Sequence, residues 1–302
     1  MSRPQAVTLM ILTNLLWSTA GVVTRHLDSA ASFEVTFWRS SFNGIALIVA
    51  LSLIRGPDFL KKLPHAPKII WVSGVCWAVM FTAFMVALTL TTVANVLIIM
   101  ALGPFITALF ARIFLKHKLS LMTWLSIGAA CLGIIWMFIN GEDATFTVIG
   151  TLISLGVPVG IAINYTIMQH VGLNRNGPDG KPAQDMLQAV LIGAVLSALV
   201  TLPFALPFQA TPHDLSLLAL LGVFQLAVPC LLVVRLTREL SGPELSLLGQ
   251  LEVIFGVTWA WLWAGEALST NTISGGLLVL GALIANEAVS NYLPTKNSSR
   301  FM

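Results

Sequence analysis

Long stretches of this sequence carry no charged side chain, and between Lys68 and Arg112 there is none at all. An ordinary soluble domain has about a quarter of its residues charged, spread along the chain. Here 10% of 302 residues are charged and 57% are apolar. The pattern points to an all-α integral membrane protein, whose helices satisfy their own backbone groups where water is absent.

One crossing needs about 20 predominantly apolar residues. Read that way, the chain holds ten transmembrane helices, at 6–25, 33–54, 69–89, 93–115, 121–139, 146–170, 186–207, 214–234, 243–264 and 272–290. They are numbered spans 1 to 10 in chain order. The first run, with Arg3 ahead of it and Ser18-Thr19-Ala20 near its end, mimics a secretory leader. Asn14 and Trp17 inside the run, and the repeat described below, make it a retained helix.

Basic residues set orientation, because cytosolic loops are enriched in Lys and Arg. With a cytosolic N-terminus, fourteen of the sixteen fall on the cytosolic side, from Arg3 through Arg55, Lys61, Lys62, Lys68, Arg112, Lys116 and Lys118 to Lys296 and Arg300. Arg25 falls outside and Arg39 within a span. The C-terminus is then cytosolic too.

The two halves resemble each other. With Asn95–Ser120 laid on Glu244–Ser269, Leu102, Ala111, Leu119 and Ser120 match Leu251, Ala260, Leu268 and Ser269 without a gap. Each segment is followed by a pair of glycines at the same spacing, Gly128 with Gly133 and Gly276 with Gly281. Small residues so placed let helices approach closely in lipid. Residues 1–140 form a first repeat of five spans and 141–292 a second, with a cytosolic loop at 172–184 and a cytosolic tail at 293–302. Five is odd, so the second repeat is inverted relative to the first. Inverted repeats characterise secondary transporters that bind solute near the midplane.

Five plus five helices, "NLLWSTAGVVTRHL" near the start and "WAGEALS" closing span 9 resemble the drug/metabolite transporter superfamily, of the EamA-domain type. "KHKLS" stands at the matching place in the first half, a degraded copy of the Gly-Glu signature. Within the superfamily the sequence is most similar to aromatic amino-acid exporters of the YddG type. The resemblance implies alternating access, with spans 1, 3, 4, 6, 8 and 9 around the site and 2, 5, 7 and 10 peripheral.

A polar side chain inside a span needs a partner or water. Asn14 and Trp17 share a face of span 1; Trp77, Met80 and Phe81 share one of span 3; Asn95 and Ile99 share one of span 4; Pro158 and Tyr165 share one of span 6. Each stripe reads either as helix packing or as the wall of a substrate cavity. Pro158 and Pro229 are expected to break helices near mid-span. Gln250 and Glu252, two residues apart, point roughly 200° from each other on a continuous helix. Gln250 is therefore expected to face the solute, and Glu252 to hold helices together or to couple protons. Arg39 reads as a snorkelling or locally paired residue near Glu34, or as a ligand for a substrate carboxylate. Glu266 is expected to bond loop backbone.

The inventory excludes several classes. A sugar phosphate or nucleotide sugar needs several midplane cations, and only Arg39 is offered. A multidrug cation carrier needs an exposed membrane carboxylate; small multidrug transporters of the superfamily this sequence resembles use a Glu in the first helix, where this sequence has Asn14 and no acid. A net-neutral solute with polar ends fits, its ammonium gaining roughly 0.5–2 kcal/mol over an aromatic ring. All five histidines lie at or beyond span ends, and neither GxSxG nor HExxH occurs, so an enzyme is not expected. Cys76, Cys131 and Cys230 lie in apolar runs and read as packing thiols, without disulfide or metal. A channel would want a ring of like groups from symmetric subunits, which one inverted repeat does not supply. No cofactor and no nucleic-acid partner is implied, and a monomer suffices.

Overall fold

The structure is a computed structural model that describes residues 1–24, 26–30, 32–56, 58–90, 96, 99–116, 119–138, 148–173, 186–264 and 270–292. All regular elements among them are helices: α1 (Arg3–Trp17), α2 (Ala20–Thr24), α3 (Ser32–Arg55), α4 (Phe59–Lys62), α5 (Lys68–Leu90), α6 (Gly103–Phe114), α7 (Leu121–Phe138), α8 (Val148–Leu173), α9 (Leu187–Ala205), α10 (Pro212–Leu220), a π-helical turn Leu221–Ala227, α11 (Val228–Leu236), α12 (Gly242–Leu248), α13 (Leu251–Ala264) and α14 (Thr270–Tyr292).

Among the described residues seven helical segments are long and apolar enough to cross a membrane, and spans 4, 5 and 10 of the expected ten are represented by the shorter apolar helices Gly103–Phe114, Leu121–Trp136 and Ile273–Asn286. Span 4 carries a turn. Pro104 has no N–H to give the carbonyl of Met100, and the helix restarts at Gly103 after a turn at Ala101–Leu102.

The molecule is apolar outside and polar within. Leu53 is 82% exposed and Ile284 69%, while Asn14, Asn43 and Asn164 are wholly buried. Exposed leucine and isoleucine at this density suit contact with lipid tails. Inside, hydroxyls and amides join the helices, as expected where apolar burial no longer drives association. Ser197 of α9 sits 3.0 Å from Ser40 of α3 and 2.9 Å from Thr82 of α5. Ser73 of α5 donates to Asn164 of α8.

Helix α3 packs on α9, and α5 packs on α8 and α9. Helix α6 packs on α8 and α12, and α7 on α14. Helix α1 packs on α11 and α13, and the π-helical turn packs on α3. Glycine makes two of these contacts possible. A Cβ on Gly222 would lie 2.8 Å from the carbonyl of Arg39 and 2.9 Å from the amide of Asn43. A Cβ on Gly74 would lie 2.8 Å from Ile192 Cβ. Of the glycines singled out from sequence, only Gly133 makes such an approach, 2.8 Å from the carbonyl of Gly275. A Cβ on Gly128 or Gly281 would meet nothing within 4 Å among the described residues, and on Gly276 only Ile254 at 3.7 Å.

Candidate functional site

Three expected spans are interrupted where the chain enters the interior. Span 1 turns at Ser18–Thr19 between α1 and α2. Span 4 turns at Ala101–Leu102, and span 9 turns at Gly249–Gln250 between α12 and α13. Each interruption frees carbonyls from their usual i+4 amides. In lipid a freed carbonyl needs another donor.

Neighbouring side chains supply those donors. At the span 9 turn, the amides of Gln250 and Glu252 reach back only three residues, to Leu247 and Gly249. The carbonyls of Ser246 and Leu248 thereby lose their helical donors. Asn14 Nδ2 donates to Leu248 at 3.0 Å, and Gln250 Nε2 approaches Ser246 at 3.4 Å. At the span 1 turn, Gln225 Nε2 donates to the carbonyl of Trp17 at 3.1 Å, and Trp259 Nε1 donates to Ser18 Oγ at 2.9 Å. At the span 4 turn, the Cys131 thiol donates to the carbonyl of Ala101 at 2.9 Å. Cys131 thus does more than pack.

The prolines act differently from expectation. Helix α8 runs unbroken through Pro158 from Val148 to Leu173. Its neighbours in spans 4 and 9 are small there, since a Cβ on Gly103 would sit 3.8 Å from Pro158 and 3.4 Å from Ser246 Oγ. Pro229 opens α11, and the turn before it widens into the π helix that carries Gln225. The missing N–H of Pro229 accounts for that widening.

Two ionisable side chains singled out from the sequence, Arg39 and Glu252, lie within helices. Arg39 of α3 is 6% exposed, forms no ion pair among the described residues, and its Nε has no hydrogen-bond partner. Arg39 is therefore neither snorkelling nor paired with Glu34. The Glu34 carboxylate is already engaged, accepting from the amides of Gln209 and Ala210 at 2.9 Å each and from Trp38 Nε1. Glu252 is half-buried and accepts no hydrogen bond among the described residues. It forms no ion pair among the described residues either. Gln250, expected to face the solute, is 6% exposed and bonded within its own turn.

Several buried polar atoms have no hydrogen-bond partner among the described residues: both amide atoms of Asn43, Asn14 Oδ1, Gln225 Oε1, Gln250 Oε1 and Trp77 Nε1. Asn43 lies one turn from Arg39 on α3. Trp77, Met80, Phe81 and Tyr165 share one buried cluster, with the Trp77 and Phe81 rings 5.5 Å apart. Trp17 packs against that cluster from its edge. Ile99 is buried. Asn95 and Glu266 lie outside the described residues. Span 2, expected to be peripheral, carries the buried Arg39 and Asn43.

The ends of the helices are fastened by acids. Asp214 accepts from the amides of Asp28, Ser29 and Thr211, tying the loop after α2 to the start of α10. At the other end Arg3 pairs with Glu244 at 3.0 Å and the N-terminal amine lies 3.8 Å from Glu239.

A model of the EamA-like transporter family matches residues 4–139 and again residues 148–286. The chain belongs to the EamA-like transporter family. The pseudopaline exporter CntI of Pseudomonas aeruginosa is 22% identical over 289 residues, spanning 92% of this chain and 94% of that one. The uncharacterized transporter YdfC of Bacillus subtilis is 22% identical, spanning 93% of this chain and 91% of its own. A solved crystal structure, 17% identical, has a TM-score of 0.80 over 97% of this chain and all of its own. That likeness concerns the fold. The chain is thus a multi-pass membrane transporter, and its similarity extends to an exporter and to uncharacterized transporters rather than specifically to aromatic amino-acid exporters of the YddG type.

Proposed function

We propose that the protein exports amino acids, aromatic and other neutral ones, from the cytosol across the bacterial inner membrane by alternating access. One observation carries the substrate class. Among the described residues Arg39 is the one buried Lys or Arg, too little positive charge for a phosphorylated solute. An interior with so little charge, edged by amides and by Trp17, Trp77, Phe81 and Tyr165, suits a solute of zero net charge with an apolar body. No covalent chemistry is part of the reading.

The packing supports two inverted repeats of five spans. Exchange of the halves turns the α5–α8 contact into that of α11 with α1, and the α5–α9 contact into that of the π-helical turn with α3. It turns the α6–α8 contact into that of α13 with α1. The contacts α3–α9, α6–α12 and α7–α14 map onto themselves. The register that pairs Gly128 with Gly276 also pairs Gly74 with Gly222, and both glycines make close helix crossings. Such a pseudo-twofold arrangement suits rocking of one half against the other. The lean of basic residues toward one side favours cytosolic termini.

The relative named as a pseudopaline exporter supports the direction of transport, and it favours a second reading, export of another neutral metabolite. Counterflow in proteoliposomes decides between them. Vesicles loaded with unlabelled phenylalanine, leucine, lysine or glutamate are diluted into labelled phenylalanine. Accumulation driven by phenylalanine and leucine, and weakly by lysine or glutamate, is expected. No accumulation above empty vesicles with any of the four removes the amino-acid reading and leaves the second.

A further inference from the structure

Between the start of α1 and the end of α11 the surface holds a groove of about 610 Å3, bounded by Met1, Gln5, Thr8 and Leu9 on one side and by Arg235 on the other. The two helices pack on each other. Arg235 closes the membrane-long segment Pro212–Leu236, and Arg3 opens the segment Arg3–Thr24. The groove therefore lies at the edge of the bilayer, where headgroups begin.

At this rim the charges do not balance. Glu244 is taken by Arg3 at 3.0 Å and by the amide of Ser241 at 2.8 Å, and Glu239 lies 3.8 Å from the N-terminal amine. Arg235 and Arg238 are exposed and form no ion pair among the described residues. The amide of Arg238 bonds the carbonyl of Arg235 at 3.2 Å, which keeps both cations in one turn. Gln5 Oε1 accepts from the amide of Ser2 at 3.0 Å, so its Nε2 protons remain to be given. Thr8 Oγ1 donates to the carbonyl of Pro4 at 3.0 Å and keeps lone pairs to accept with.

Toward the middle of the membrane both walls turn apolar. Leu12, one turn past Thr8, is 47% exposed, and Val228, two turns before Arg235 on the same face of α11, is 37% exposed. Surplus positive charge above two apolar strips matches a molecule with an anionic head and hydrocarbon chains. Basic pockets between membrane helices hold such headgroups.

We propose that the groove between α1 and α11 is a site for one anionic phospholipid. Its phosphate lies on Arg235 and Gln5, a headgroup hydroxyl donates to Thr8, and its acyl chains run along Leu12 and Val228. The guanidinium fork gives the phosphate two parallel hydrogen bonds. A free phosphate ester would lack the chains and gain only the rim. Because α1 and α11 belong to different repeats, the lipid ties the two halves together at this face. The inference is independent of the solute carried.

The test uses the full chain, stripped of lipid in a mild detergent. Native mass spectrometry reads binding of added phosphatidylglycerol, phosphatidylethanolamine or soluble glycerol 3-phosphate. Wild type should hold phosphatidylglycerol at least about fivefold more tightly than phosphatidylethanolamine, and glycerol 3-phosphate more weakly than either. Arg235→Gln should weaken phosphatidylglycerol binding by about fivefold, the effect of one interfacial basic residue, and Arg235→Lys should restore most of it. Lys61→Gln, at an exposed cation that pairs with Asp58, should leave it unmoved. Equal affinity of wild type for the two lipids, unchanged phosphatidylglycerol binding by Arg235→Gln, or glycerol 3-phosphate bound as tightly as the lipid overturns the site. None of these results bears on amino-acid export, since no solute enters the assay.

Discussion

Asn14 Nδ2 donates to the carbonyl of Leu248 across 3.0 Å, joining α1 to the end of α12. The same nitrogen also donates to Met10 within its own helix at 2.9 Å. Asn14 thus spends both amide protons on backbone, and it is wholly buried. Its first duty is to close a helix that has been interrupted. Asn14→Ala should lower stability by about 1–2 kcal/mol, since the Leu248 carbonyl is left without a donor. Thermal unfolding in detergent, followed by size-exclusion chromatography, checks it. An unchanged midpoint would mean that water already serves that carbonyl.

Trp259 and Ser18 tie span 9 to the turn of span 1. Trp259→Phe and Ser18→Ala should each cost about 0.6 kcal/mol, in line with hydrogen bonds between membrane helices. The double variant should cost less than their sum, because one bond is lost in all three. Strict additivity in the unfolding midpoints would show that the bond contributes nothing.

Gly222→Ala should destabilise by about 1–3 kcal/mol, because the added methyl meets main-chain atoms of Arg39 and Asn43 that cannot move aside. Gly281→Ala should be neutral or slightly stabilising, since its methyl meets no described atom within 4 Å and alanine favours helix. Parallel melting curves check the contrast, and equal losses would contradict it.

Asp214 completes a capping box with Thr211 and also holds Asp28 and Ser29. Asp214→Ala should lower the thermal midpoint clearly and speed proteolysis in the segment after α2. Among the described residues Asp58 pairs only with exposed Lys61, so Asp58→Ala should leave the midpoint unchanged within error. Proteolysis followed by mass spectrometry reads both, and a smaller effect at Asp214 than at Asp58 would reject the clamp.

Hydropathy and the lean of Lys and Arg made the helical membrane character legible, because both depend only on composition along the chain. The turns inside spans 1, 4 and 9 were not legible. An apolar window averages over Gly249–Gln250 and Ser18–Thr19, and only the partner side chains reveal which carbonyls are free. The assignment of Gln250 and Glu252 to opposite duties assumed one continuous helix. The turn between α12 and α13 breaks that geometry, and Gln250 bonds its own turn. Likewise Glu34 looked like the natural partner of Arg39 by proximity in sequence. The competing donors, Gln209 and Ala210, come from the other half of the chain. Cys131 was read as filler because a thiol in an apolar run gives no hint of the carbonyl it serves.

The bonds at the interrupted helices have a mechanical consequence. A continuous helix can bend only by breaking rungs of its own ladder. At Trp17 and Leu248 the rung is instead an amide on a rotatable stem, reaching over from another helix. Such a joint lets go by a χ rotation, in nanoseconds, and can grip a different oxygen after the swing. The centre of this protein is in that sense hinged by its side chains, and the stiffness of the fold resides in the longer rods around it.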